Sequence, residues 1–155
     1  MGAPAVFQQY KTANANTTDQ GKLIIICYDV ALRACIEAKV ALEQKNIADK
    51  SKKIYKAQDA ITELMVALDV KSGGEFAKRL YALYEYFNWR LSEANIRNEL
   101  SMIDEVAAHL RSLRDAWLVA IDTVRKENGA LANGPGSPTG GPGSAPLSFR
   151  VVDGP

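Results

Sequence analysis

Between Pro4 and Pro135 the chain contains no proline, and from Ala5 to Asn128 its only glycines are Gly21, Gly73 and Gly74. Proline breaks a helix interior and glycine costs about 1 kcal/mol there relative to alanine, so a stretch this free of both suits long helices. Its apolar residues recur at spacings of three and four rather than alternating, and no strand is expected. Four helices follow. The first starts at Thr18 or Asp19, either of which can cap it, and runs to about Gln44. The second follows the capping residue Asn46 and ends near Asp69. After the turn Lys71-Ser72-Gly73-Gly74, a third runs from about Glu75 to Arg97. The fourth runs from about Glu99 to Lys126, with Asn128-Gly129 as its stop signal. Connections this short make consecutive helices antiparallel. The expected fold is all-α: an antiparallel four-helix bundle over residues 18–128, preceded by a short segment, 1–17, that could cap its surface.

Residues 129–155 change character. Gly, Pro and Ser repeat, with one charge of each sign, and such a composition cannot bury enough surface to fold alone. A disordered tail is expected, either inert or using its apolar end, Leu147, Phe149, Val151 and Val152, as a docking motif. No internal repeat is visible.

A helix that only closes a four-helix core needs one apolar stripe, somewhat over about 100° wide. The second helix fits (Ile47, Ile54, Ala57, Ile61, Leu64, Met65, Leu68), as does the fourth (Ile103, Val106, Leu110, Leu113, Trp117, Ile121, Val124). The first exceeds it: Leu23, Cys27, Val30, Ala34 and Ala41 form one face, and Ile25, Tyr28, Leu32 and Ile36 another on roughly the opposite side. The third has a core stripe of Phe76, Leu80, Leu83, Phe87 and Leu91, with Tyr81, Tyr84, Tyr86 and Trp89 spreading rings beyond it. Such surplus means either that the first helix is wrapped by its neighbours or a second protomer, or that a groove receives an apolar partner segment.

Little else carries chemistry. A net charge of +1 over 155 residues favours neither nucleic acid nor an anionic membrane, and no apolar run approaches a membrane span. His109 is the only histidine and has no nucleophile motif near it. Glu105 and His109 share a face, but two ligands do not make a metal site. Gly73-Gly74 reads as a turn rather than a phosphate loop. A histidine phosphotransfer module through His109 would fit a four-helix bundle, but Leu110-Arg111-Ser112-Leu113 lacks the glycine usual after such a histidine. No cofactor is implied. Met1 to Tyr10 lacks a signal-peptide pattern, and Val6 stands where a myristoylation motif needs Ser or Thr. Cys27 and Cys35, eight apart on one helix, lie about 12 Å from each other and cannot pair within the chain. A cytosolic location is expected.

Tyr28-Asp29 followed by Ala31-Leu32, then Lys56-Ala57-Gln58-Asp59, Glu63-Leu64, Leu68-Asp69 and Gly73-Gly74, resemble the flagellin-specific export chaperone family, FliS. Leu80-Tyr81, Leu83-Tyr84, Arg90-Leu91, Glu93-Ala94-Asn95-Ile96 and the stretch Leu113 to Trp117 continue the likeness in order, which spans about Tyr10 to Ile121. Thr18-Asp19-Gln20-Gly21-Lys22 replaces the family's Ser-Pro-Glu-Glu type of helix start, and Val30 replaces the glycine usual after Tyr-Asp.

The resemblance implies a non-catalytic cytosolic chaperone that holds the disordered carboxy-terminal segment of flagellin in apolar grooves. It would prevent premature polymerisation and deliver the subunit to the flagellar export gate. The client contacts this implies are Tyr10, Ile25, Tyr28, Leu32 and Ile36 with Leu68, Tyr84 and Tyr86. The alternative is a dimeric helical interaction module that uses its second apolar face to self-associate.

Overall fold

A computed structural model of the chain describes residues 17–133. It contains four helices: α1 (Thr17–Glu43), α2 (Ile47–Ala67), α3 (Gly74–Arg97) and α4 (Leu100–Asn133). No strand occurs among the described residues. The helices form a four-cornered bundle. α1 packs on α2 and α4, α3 packs on the same two, and α1 and α3 stand at opposite corners.

Each reversal has a local cause. At the end of α1, Lys45 takes the left-handed conformation, φ 58°. Its N–H donates to Leu42 O, and that of Asn46 donates to Ala41 O. This is a Schellman stop with lysine where glycine is usual. Asn46 then caps α2, its side chain accepting from the Asp49 N–H at 3.2 Å. Between α2 and α3, the Asp69 carboxylate accepts from the Ser72 N–H and the Asp69 carbonyl from the Gly73 N–H. Gly74 follows at φ 60°, and a Cβ on Gly73 would stand 2.5 Å from the Ala77 Cβ. Both glycines are therefore required, one by its dihedral and one by crowding. Asn98, left-handed at φ 54°, ends α3.

Small residues let α1 lie close to α2: Ala31, Ala34, Ala38 and Ala41 of the first, and Ala57 and Ala60 of the second, are all buried. On the other side, a Cβ on Gly21 would lie 3.1 Å from Ile121 Cδ1, so the start of α1 is pressed against the later part of α4. The interface between α2 and α3 is laced with polar contacts. Ser51 Oγ donates to Asn95 Oδ1 at 2.9 Å, and Gln58 Nε2 donates to Asn88 O at 2.9 Å and to Ser92 Oγ at 2.8 Å. At its end Lys50 is buried and donates to Asn95 O at 2.8 Å and to Asn98 Oδ1 at 2.5 Å. A cation on the last carbonyls of α3 is favoured by the helix dipole, although desolvation lowers the lysine's pKa.

Ile47, expected in the stripe of the second helix, is exposed at the first turn of α2, and two further expectations need correction. α4 continues through Asn128-Gly129 to Asn133. One glycine costs about 1 kcal/mol in a helix, and here it is followed by the strong formers Ala130 and Leu131. Phe76, expected in the core, is exposed, and Ala77 takes the inward position beneath Gly73. The remainder of the tail and residues 1–16 lie outside the described residues.

The turns generate opposite stability changes. Lys50→Met should cost about 1–3 kcal/mol, because two acceptors lose their donor. Lys45→Gly should add about 0.5–1 kcal/mol by removing a left-handed side chain. Urea unfolding of the two variants reads both signs.

Candidate partner-binding surface

At the centre of the bundle the Tyr28 hydroxyl of α1 is hydrogen-bonded to the Tyr84 hydroxyl of α3, across the diagonal. The Trp117 indole N–H of α4 donates to the same Tyr28 oxygen at 2.9 Å. Three helices therefore meet at one phenol. The two tyrosine rings lie 6.4 Å apart at 57°, and Phe87 extends the cluster from Tyr84 at the same distance and tilt. Burial pushes the Tyr28 phenol up to about 12 and raises Tyr84 as well, so both stay neutral throughout the physiological range.

This cluster changes the reading of α1. Tyr28 is 0% exposed, and the expectation that it faces away from the core is overturned. Leu23, Ile24, Cys27, Tyr28, Ala31, Leu32, Ala34, Cys35, Ala38 and Ala41 are all buried. At roughly 100° per residue they sweep about half of the helix circumference. The helix is flanked on two sides, so most of its apparent surplus is its own core. Tyr84 and Leu68, read as client contacts, are likewise buried. Tyr10 lies outside the described residues.

The outer arc of α1 remains uncovered. Ile26, Asp29, Val30, Leu32, Arg33, Ile36 and Glu37, with Lys56 of α2, line an open groove of about 670 Å³. Ile36 is 49% exposed, Val40 lies beside it on the same arc, and Ile25 is half-buried. Ion pairs frame this face. Asp29 is bound by Arg114 of α4, and Glu37 by Lys53 of α2 at 2.9 Å. The Lys53 hydrogen bond, with Lys56 and Arg33 nearby, holds the Glu37 carboxyl below its usual range. Val30 also lines this groove and contributes an apolar wall.

Tyr86 belongs elsewhere. It is exposed on the outside of α3, its ring 5.9 Å from that of Trp89, and its hydroxyl donates to Glu105 Oε2 at 2.8 Å. Arg90 Nε donates to the same oxygen at 2.9 Å. These bonds, with Tyr86 first, hold the Glu105 carboxyl below its ordinary range. Trp89 is 54% exposed and Ile96, two turns on, 77%. Of the predicted contacts, the structure thus brings Ile25 and Ile36 to one surface, with Leu32 buried against the core at the groove's floor, and leaves Tyr86 on another. Ile26 and Val40 were missed because they fall on the polar stripe of Asp29, Arg33 and Glu37.

Among the described residues, no group of three or more His, Cys, Asp or Glu is arranged to hold a metal, and no helix is long and apolar enough to cross a membrane. The His109 ring stacks on Phe87, with centroids 5.7 Å apart at 21°. The bundle, with its open groove of four apolar and four charged residues, has the form of a small helical binding protein.

The chain matches the family model described as flagellar protein FliS over residues 3–124. It is 32% identical to the flagellar secretion chaperone FliS of Bacillus subtilis over 121 residues, covering 78% of this chain and 90% of that protein. Against the flagellar secretion chaperone FliSB of Pseudomonas aeruginosa the identity is 36%, over 76% of this chain and 94% of the relative. The Salmonella typhimurium flagellar secretion chaperone FliS is 37% identical over 62% of this chain and 72% of its own length. The chain belongs to the FliS family of flagellar secretion chaperones, a family of chaperones and not of enzymes.

The central cluster has an alkaline signature. Tyr28 and Tyr84 bind their protons more tightly folded than unfolded, and burial pushes the Cys35 thiol up to about 12. Their contribution is complete below the unfolded values, near 9 for the thiol and 10 for the phenols. It is lost as pH rises toward the folded values, at about 1.4 kcal/mol per pH unit per group. Tyr28→Phe should cost about 1–3 kcal/mol at pH 7. Denaturant melts at pH 7, 10 and 11 should show a shallower alkaline loss in the Tyr28→Phe, Tyr84→Phe double variant.

Proposed function

We propose that the chain is a cytosolic export chaperone that binds the carboxy-terminal segment of flagellin along the outer arc of α1. Binding covers the client's apolar stripe, prevents premature polymerisation, and presents the subunit to the flagellar export gate. The observation that carries this reading is the groove, which leaves Ile36 half exposed beside a core already complete without it. An amphipathic client segment has the apolar stripe to fill such a groove, and its recognition mode is a helix laid in a groove.

Ile25 and Ile36 contact the client directly in this reading, over Leu32 at the groove's floor, with Ile26, Val30 and Val40 extending the strip. Tyr28, Leu68 and Tyr84 support it from inside by holding α1 in position. Tyr10 contributes from the preceding segment, and Tyr86 belongs to the separate aromatic face of α3. The ion pairs at Asp29 and Glu37 fix the groove's edges and cost no apolar area.

The client orders as it binds, so association should show a large negative heat-capacity change. Calorimetric titration with the carboxy-terminal segment of flagellin from the same organism should give submicromolar binding. Ile36→Glu should weaken it at least roughly tenfold, a cost of about 1.4 kcal/mol, and Trp89→Ala should leave it within about twofold. Absence of binding by a folded, helical chain would remove the flagellin assignment. Loss on Trp89→Ala but not on Ile36→Glu would move the site to α3.

A further inference from the structure

The groove on α1 has a second occupant available within the same chain. The family match ends at residue 124, so the carboxy-terminal tail lies outside the part shared with FliS proteins. From Gly134 to Pro146 the tail contains only Gly, Pro, Ser, Thr and Ala. Then comes Leu147-Ser148-Phe149-Arg150-Val151-Val152-Asp153, the one apolar run of the tail. In an extended segment alternate residues share a side, which puts Leu147, Phe149, Val151 and Asp153 together and turns Arg150 away.

That edge matches the groove in kind of chemistry. Ile26, Val30, Leu32 and Ile36 supply apolar walls, and Arg33 and Lys56 line the same space. Neither cation forms an ion pair among the described residues, since Glu37 is bound by Lys53 and Asp29 by Arg114. Around the groove, four cations (Arg33, Lys53, Lys56, Arg114) face three carboxylates (Asp29, Glu37 and Asp115, the last 3.7 Å from Arg114). A segment that brings apolar side chains and one carboxylate on the same edge fits this surplus.

The reach is sufficient. Gly21 of α1 lies against Ile121 of α4, and Asp29 pairs with Arg114, so the two helices run antiparallel in this register. Asn133 then stands about 18 Å beyond Ile121 along α4. Ile26 and Ile36 stand about 8 and 22 Å from Gly21 in the other direction. The separation is about 26 Å to the near end of the groove and about 40 Å to the far end. Fourteen residues from Asn133 to Leu147 span at most about 50 Å. We infer that residues 147–153 dock in cis in the α1 groove and compete with the client for it. The inference rests on the proposed use of that groove. A tethered segment held at about millimolar effective concentration needs only weak contact to occupy the site much of the time. The client's apparent affinity falls by the fraction left open, so a waiting chaperone is covered and a client of high affinity displaces the cover.

The test uses the full chain. Cys27 and Cys35 are buried, so a nitroxide reagent is directed to the thiol introduced by Ser148→Cys. Methyl resonances of Ile26, Val30 and Ile36 should broaden, and those of Ile54 and Ile96 should stay sharp. Phe149→Glu with Val151→Glu should abolish the broadening and tighten binding of the flagellin segment roughly three- to tenfold. Broadening centred on Ile96, or none at all, would overturn the inference. Broadening of unlabelled copies mixed with labelled ones would overturn its cis form in favour of a second copy. Groove broadening without any flagellin binding would leave the tail contact standing and remove the client reading. Flagellin binding that is unchanged by the double substitution would remove the competition.

Discussion

The rest of the bundle depends on one buried hydrogen-bonded junction, in which the Tyr28 hydroxyl joins Tyr84 across the diagonal and accepts from Trp117. A four-helix bundle held only by apolar stripes tolerates rotation of a helix about its axis, because many rotamer sets fill a similar volume. A phenol with partners 56 and 89 residues away does not, since turning α1 would bury polar atoms without partners. The junction therefore fixes which arc of α1 faces inward. By doing so it fixes which arc, that of Ile25, Ile26, Val30, Ile36 and Val40, is left for a partner.

The architecture was legible because helices of this length declare themselves by period and by the absence of breakers. Asn46, the Gly73-Gly74 turn and the stop near Arg97 each act through their own backbone chemistry, and each lies where sequence puts it. What periodicity cannot supply is the number of neighbours a helix has. α1 is flanked on two sides, and Tyr28, which as a single residue looks like surplus, is fully buried. Lys50 is equally opaque in sequence: a lysine on a helix reads as solvated, and only the fold brings the α3 terminus to it. Gly129 failed as a stop because a helix stop needs a left-handed residue and not merely a glycine. Phe76 failed as core because first-turn packing there goes to Ala77.

The candidate surface was half legible. Ile36 could be found by asking which apolar residues lie outside the main stripe, and it is exposed. Ile26 and Val40 could not, since they sit among Asp29, Arg33 and Glu37, of which the two carboxylates are paired with residues of other helices. The aromatic face of α3 has a different character: Tyr86 is tied to Glu105, and Trp89 and Ile96 stand well out from the helix. The two apolar surfaces stand on opposite corners of the bundle.

Methyl chemical-shift mapping of the chain with and without the flagellin segment tests the central claim most directly. The account predicts large changes at Ile25, Ile26, Val30, Ile36 and Val40, with the Tyr28, Tyr84 and Trp117 side chains unmoved. Changes centred on that buried trio, with loss of its hydrogen bonds, would mean that the client opens the core instead of docking on a surface the core defines.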